Sequence, residues 1–211
     1  TLSPDGTEKG FAKLMTQRAQ QLGMTSSSFR NASGWPAQGH VMSMRDLVLL
    51  ATKLIQDFPE HYSIFSEKTF EFDGRAPGNV KNRNPLLALG IGADGLKTGH
   101  TSEAGYGLVG SARNDDRRIV FAITGLESER ARAEESEAIV NWAFRQFAEQ
   151  TIVTKDKAVA EADIWLGAEE KVGLVSDKDV RLLLPVNTLG GVTAEVVYTG
   201  PIEAPVAKGQ K

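Results

Sequence analysis

An amine, a hydroxyl and a residue without a side chain stand side by side at Lys97, Thr98 and Gly99, inside the glycine-rich stretch GIGADGLKTGHTSEAGYG at 90–107. Three kinds of chemistry use such a grouping. The run Gly90-Ile-Gly92-Ala-Asp-Gly95 has the spacing of a dinucleotide-binding turn. That turn needs a strand before it and a helix opening at its third glycine, where the pyrophosphate sits. Here the third glycine leads into Leu-Lys-Thr-Gly-His-Thr, which is β-prone and then glycine-rich, so no helix is expected. A phosphate-cradling G-x-x-x-x-G-K-T loop would need lysine directly after Gly95, but Leu96 intervenes and turns the amine away from the phosphate nest. The third chemistry is acyl transfer along a strand edge. Gly99 leaves the backbone bare, so a peptide can lie against it as an added strand. The N–H of His100 can then face an acyl oxygen and stabilise its developing charge. The Lys97 ammonium can hold an anionic end of the substrate and pass protons. Neighbouring residues on a strand point to opposite faces, so Lys97 and Thr98 share a face only where the strand end twists.

The elements that must position these residues follow from periodicity. Phe11, Leu14, Met15, Ala19 and Leu22 recur at helical spacing, and Gly23 stands where a C-terminal cap belongs. TSSSFRNASGWPAQGH at 25–40 is rich in Ser, Gly, Asn and Pro and reads as loop. Ser43 opens a second helix with Asp46 three residues on, a capping-box variant, and Pro59 ends it. A short strand is expected at 69–72. Residues 106–124 read as a hairpin turning at Asn114-Asp115-Asp116. Within it, 119–123 is uninterrupted apolar, as in a strand covered on both faces. Ser128 caps a long helix expected to run to about Ala148. Beyond Gln150 the chain offers short β-prone runs split by Gly, Pro and Asp, with no helix-length amphipathic segment. A domain boundary is expected near 150, dividing residues 1–149 from a small β-rich unit at 150–211. Such a unit is marginal for an independent core, and the closing APVAKGQK reads as cut rather than finished.

Bulk composition narrows the partners. The 211 residues carry a formal net charge of -3, which argues against a general nucleic-acid binder. No apolar run reaches the ~18 residues of a membrane span, and the first ten residues do not resemble a signal peptide. The chain has no cysteine, which removes thiol catalysis and disulfides. His40, His61 and His100 are far apart and give no positive sign of a metal site.

Lys-Thr-Gly is also the K-T-G element of serine acyl-transferases acting on D-alanyl peptides and β-lactams. Three residues alone equally describe a solvated strand end. The wider context is far more specific. GADGLKTGHTSEAGYGLVGSA, an apolar strand and GLESERARAEESEAIVNWAF together resemble the D-alanyl-D-alanine carboxypeptidases of the low-molecular-mass penicillin-binding proteins, serine peptidase family S11. Upstream, FAKLMTQRAQQLGMTSSSFRNASGW, MSMRDLVLLATKLIQDFPEHY and NRNPLL are similar to successive segments of that family. Downstream, IWLG and APVAKGQK resemble its small C-terminal domain. The resemblance implies an α+β fold: part of a β-lactamase/transpeptidase-like domain, with an antiparallel sheet flanked by helices, followed by a small, partial all-β domain. It implies a hydrolase without metal or organic cofactor, acting on peptidoglycan stem peptides ending in D-Ala-D-Ala and trapped by β-lactam antibiotics. Its setting would be periplasmic or cell-surface, with a membrane-anchoring C-terminal helix in the complete protein. It gives Lys97 and Thr98 the substrate carboxylate, with Lys97 also moving protons, and gives the His100 N–H the oxyanion. Gly99 would be the bare edge beside them. It assigns carboxylate binding to Arg132 as well, a residue otherwise readable as solvated in a first helical turn. Arg83 would buttress the site or simply pair at the surface. Trp35, Trp142 and Trp165 are expected to pack or, for Trp35, to line the cleft from its loop.

The family's other two motifs are missing. No serine here has lysine three residues on, and no S-x-N or Y-x-N occurs. In the family these motifs precede the segment matching the start of this chain. The sequence therefore reads as a fragment of a longer enzyme, inactive alone because nucleophile and base lie elsewhere. Two alternatives stay open on the sequence: a non-catalytic wall-peptide-binding homologue, and a β-lactamase relative.

Overall fold

A computed structural model describes residues 3, 5–74, 77–188, 190–192 and 194–210. It divides into two compact units, 1–142 and 143–211. The first unit opens with helix α1 (Glu8–Gln21), capped by the Thr7 side chain, which accepts from the Gly10 N–H. The helix stops at Leu22, and Gly23 follows at φ +90°, the left-handed conformation that glycine adopts without a Cβ clash. Helix α2 (Met44–Asp57) is capped by Ser43, whose hydroxyl accepts from Asp46 N. Pro59 ends α2 but also starts a short helix α3 (Pro59–Tyr62), since proline is tolerated in a first turn. A 3-10 turn follows at Ser63–Ser66.

The sheet is antiparallel, in the order β1 (Ala93–Thr101), β2 (Gly105–Asn114), β3 (Arg117–Leu126). The β2–β3 turn falls at the expected aspartates, with Asp115 at φ +52°. Helix α4 (Glu129–Gln146) follows, its Ser128 hydroxyl accepting from Ala131 N. Leu86, Leu108, Ala112 and Val140 are essentially sealed from solvent. A second cluster of Ala51, Tyr62 and Leu96 gathers Leu54, Ile55, Phe65, Val109 and Val120 around it. Apolar burial of this kind contributes about 1.5–3 kcal/mol for each fully enclosed large side chain.

Several expectations change. Residues 69–72 form no strand: Thr69 makes a single bridge to Lys81, and Phe70 N donates to Val80 O. With only that one bridge to lean on, Phe70 and Phe72 stay exposed and stack on each other, ring centroids 6.5 Å apart. Residues 119–123 are only half-buried rather than enclosed on both faces. Helix α4 ends at Gln146, not Ala148, because Phe147 starts a strand that pairs with residue Pro185. The three tryptophans do not pack inside: each is more than half exposed.

Asp46 also departs from its expected capping role. Its carboxylate is wholly enclosed, and Oδ2 accepts from Ser26 N at 2.9 Å and Ser27 Oγ at 2.7 Å. These bonds, Ser27 foremost, hold the carboxyl below the ordinary 3.8. A carboxyl depressed in the folded state adds stability above about pH 4, and this is lost as pH falls through its folded value. Thermal denaturation between pH 6 and 2.5 is expected to show an acid limb that Asp46→Asn flattens.

Beyond the last turn of α4 and apart from a 3-10 turn at Val186–Thr188, the regular structure described in the second unit is β-strand. β4 (Phe147–Val153) pairs antiparallel with β7 (Val180–Pro185). β5 (Ala158–Trp165) lies between β6 (Lys171–Val175) and β8 (Ile202–Glu203), antiparallel to the first and parallel to the second.

Candidate active site

Lys97, Thr98, Gly99 and His100 lie on β1, an end strand of the sheet. The third glycine of the G-x-G-x-x-G run, Gly95, is inside this strand, and no helix follows it. The dinucleotide and P-loop readings therefore lack their anion-binding helix start. Burial alternates as a strand demands: Leu96 and Thr98 are buried, Lys97 and Gly99 are exposed. The antiparallel register sets Lys97 opposite Val109, Gly99 opposite Gly107 and His100 opposite Tyr106. A Cβ built on Gly99 would meet nothing within 4 Å, so the strand is open on that side.

Cations gather beside this stretch. The Lys97 amine donates to the Thr98 carbonyl. Partial desolvation, then Arg83, then Arg132 lower its pKa below the usual 10.5. Arg132 projects from the first turns of α4 and is 5% exposed, so it is not a solvated helix residue. Its Nη2 donates to the Arg83 carbonyl at 3.5 Å, and Glu129 stands 3.7 Å from it. Its Nε is buried without a hydrogen-bond partner among the described residues. A buried, unpaired donor of a charged group is costly. Three cations, one of them Arg132 paired with Glu129 at 3.7 Å, leave an excess of positive charge that suits an anion. Arg83 has an exposed side chain, and the contact it makes here is through its carbonyl.

Tyr106 is the residue that sequence reasoning missed. Its ring lies 3.9 Å from the His100 ring, and the Arg132 guanidinium sits over it at 5.6 Å. The hairpin register was the available clue, because a turn over 102–104 puts residue 106 opposite residue 100. The His100 imidazole is thereby held against an aromatic face, and the His100 backbone remains on the open strand. A second missed feature holds the start of β1. Arg118 grips Asp94 with two contacts, 2.8 and 2.7 Å, and its Nη1 also reaches Ser111 Oγ at 2.6 Å. Tyr62 Oη donates to Asp94 at 2.9 Å. Burial is the main reason the Tyr62 phenol is pushed up to about 12.

Comparison with known proteins agrees with this layout. Residues 4–128 match the family model described as D-alanyl-D-alanine carboxypeptidase. Residues 147–211 match that of the penicillin-binding protein 5 C-terminal domain. The chain is 36% identical to D-alanyl-D-alanine carboxypeptidase DacC of Escherichia coli over 208 residues, covering 97% of this chain and 51% of the relative. It is 35% identical to DacA of the same organism over 207 residues, again covering 97% of this chain and 51% of the relative. The chain thus spans about half the length of these curated relatives. Among solved structures, penicillin-binding protein 5 from Haemophilus influenzae superposes with a TM-score of 0.76 at 32% identity, covering 97% of this chain and 60% of that one. Penicillin-binding protein D2 from Listeria monocytogenes, in its ampicillin-bound form, gives 0.58 at 35% identity over 64% of this chain and 56% of that one. The K-T-G strand, the matched segments and the C-terminal β unit establish that this chain belongs to the D-alanyl-D-alanine carboxypeptidase family.

Proposed function

We propose that the full-length protein carrying this chain is a serine-type carboxypeptidase that removes the terminal D-Ala from cell-wall stem peptides. It works outside the cytoplasmic membrane, where those peptides are, and β-lactams trap its acyl-serine intermediate. The observation that carries this reading is the set of cations Lys97, Arg83 and Arg132 beside the bare edge at Gly99, in a chain of this family.

In this reading the substrate lies along β1 as an added strand. Lys97 and Arg132 hold its terminal carboxylate, and the unpaired Arg132 Nε supplies one donor. Thr98 is buried on the face of β1 opposite Lys97, so this reading leaves the carboxylate to Lys97 and Arg132. The His100 N–H faces the scissile carbonyl oxygen and stabilises the charge that develops on it. No serine among these 211 residues has lysine three positions on, so nucleophile and base come from polypeptide outside them. The 211-residue chain alone would then be inert. We extend the proposal to the domains expected from the sequence, 1–149 as the C-terminal part of a catalytic domain and 150–211 as part of a separate β domain, the compact units dividing a little earlier, after Trp142.

The test is covalent labelling of the full-length protein by a fluorescent penicillin, with mass mapping of the adduct, and release of D-Ala from a D-Ala-D-Ala peptide. A serine adduct and D-Ala release support the proposal. Absence of both identifies a binding homologue, and rapid release of the drug points to a β-lactamase. In the active protein, Arg132→Gln is expected to raise KM about tenfold for peptides ending in a free carboxylate, a charge-assisted bond being lost. C-terminally amidated peptides should be nearly indifferent to it.

A further inference from the structure

Two halves of the site meet on Tyr106. It stands on β2 directly opposite His100 of β1, so both side chains lie on one face of the sheet. Their rings touch, with centroids 3.9 Å apart and planes inclined by 30°. Arg132 reaches the same ring from α4, its guanidinium carbon 5.6 Å from the centroid. One half-buried phenol thus contacts both the strand residue that carries the oxyanion N–H and the arginine assigned to the substrate carboxylate.

The backbone under Tyr106 is seated on β3. The β2–β3 register slips between Tyr106 and Leu108, and such a bulge re-aims the side chains around it. A Cβ on Gly105 would come within 2.8 Å of the Leu126 carbonyl, and one on Gly107 within 2.9 Å of the Ile123 carbonyl. The glycines on both sides of Tyr106 therefore rest directly on the neighbouring strand. The phenol projects from a fixed base.

The polar contacts of Arg132 are too weak to orient it. The Arg83 carbonyl is 3.5 Å from Nη2, beyond the usual length of such a hydrogen bond. Glu129 stands 3.7 Å away on an exposed side chain, and pairs of that kind contribute little. Nε has no hydrogen-bond partner among the described residues. What remains is the ring face. A guanidinium over an aromatic ring is held best where water is excluded, and Arg132 is 5% exposed. Orientation matters here, because a planar fork bonds a carboxylate well only when it faces it.

We propose that Tyr106 is a positioning residue: its ring, braced by the His100 imidazole, turns the Arg132 guanidinium toward the terminal carboxylate of the substrate. The inference rests on the carboxypeptidase reading and adds to it a determinant of selectivity for peptides with a free C-terminus.

The experiment varies the charge on the ring face without changing its bulk. In the full-length protein, position 106 is made phenylalanine, a difluorinated phenylalanine and a pentafluorinated phenylalanine. Fluorine drains negative charge from the ring face, so the hold on the guanidinium weakens along the series while the space stays filled. KM and kcat are measured for a peptide ending in D-Ala-D-Ala and for its C-terminal amide. Tyr106→Phe should stay within about twofold of wild type, since both rings attract a cation. KM for the free-carboxylate peptide should then climb with fluorination, reaching about three- to tenfold. Values of kcat, and KM for the amide, should move by less than about twofold. In an Arg132→Gln background the series should be flat, because the ring acts through that arginine. A residue that only supports the fold would shift both peptides alike and would ignore the charge on the ring. A flat series in the otherwise wild-type protein overturns the inference and leaves the carboxypeptidase reading standing. So does a rise shared by the amide, or one that persists without Arg132. No D-Ala release by the wild-type protein overturns both proposals together. The near-isosteric rings keep the test decisive even if a truncation such as Tyr106→Ala fails to fold.

Discussion

Lys97→Met in the full-length protein is expected to slow acylation by penicillin about 10²–10⁴-fold, the range for losing a positioned proton-transfer or charge-stabilising group. Methionine keeps the length and the aliphatic contacts of lysine but removes the ammonium. The side chain is exposed and its visible bond is to the neighbouring Thr98 carbonyl, so stability should move by no more than about 0.5 kcal/mol. Lys97→Arg is not a rescue, because a planar fork cannot reproduce a compact point charge. The pH profile gives a second handle. Partial burial and the Arg83 and Arg132 charges make the Lys97 ammonium lose its proton at lower pH than an ordinary lysine. Binding that needs the ammonium should weaken as pH rises through a value below 10.5, and this alkaline limb should be absent from Lys97→Met. Stopped-flow acylation from pH 6 to 10 measures both effects. Full acylation by Lys97→Met would remove Lys97 from the mechanism.

Asp94→Ala is expected to destabilise the protein by about 2–3 kcal/mol. This is less than the 3–5 kcal/mol typical of breaking a fully buried pair, because roughly a quarter of each side chain is exposed. Removing Asp94 strands the Arg118 guanidinium, leaving it Ser111 and Tyr62, and takes the acceptor from the Tyr62 hydroxyl. Chemical denaturation measures the loss. A double-mutant cycle with Arg118→Met should return a coupling of about 1–2 kcal/mol, as for other directly bonded pairs. The Tyr62 phenol offers an independent reading, since Asp94 is one of the groups that raise its pKa. In the variant Tyr62 should ionise below the value of about 12 it has in the intact network. Its raised pKa stabilises the fold below about pH 10, and that contribution disappears as pH climbs toward 12. Asp94 lies three residues before Lys97 on the same strand, so this cluster also fixes where the amine sits. Unchanged stability in Asp94→Ala would show that the ion pair contributes nothing net.

Much was legible in the sequence because local rules decide it. Helix α1 and its Gly23 stop, the Ser43 and Ser128 caps, the hairpin turning at Asp115 and the β-rich end follow from periodicity, capping and turn chemistry. Each depends on residues within a turn or two of one another. The K-T-G strand was readable for the same reason: glycine excludes a helix there and strand propensity fills the gap.

Where a residue's partner is distant in sequence, the sequence could name the residue but not its role. Asp46 looked like half of a capping box, yet its carboxylate went to Ser26 and Ser27, some twenty residues away, because an enclosed charge takes the strongest donors the fold brings near. Residues 69–72 had strand composition but gained only one bridge, and a strand exists only where a neighbour supplies the ladder. Arg132 read equally well as solvated or functional. Tertiary structure buried it beneath the β1–β2 hairpin, over Tyr106 and beside the Arg83 carbonyl, with one donor left over. The sequence by itself thus determined the family, the strand that bears Lys97 and the helices around it. Only the tertiary structure decided which cations converge there, which ring lies against the buried arginine and what holds the strand in register, because charge and burial act through space.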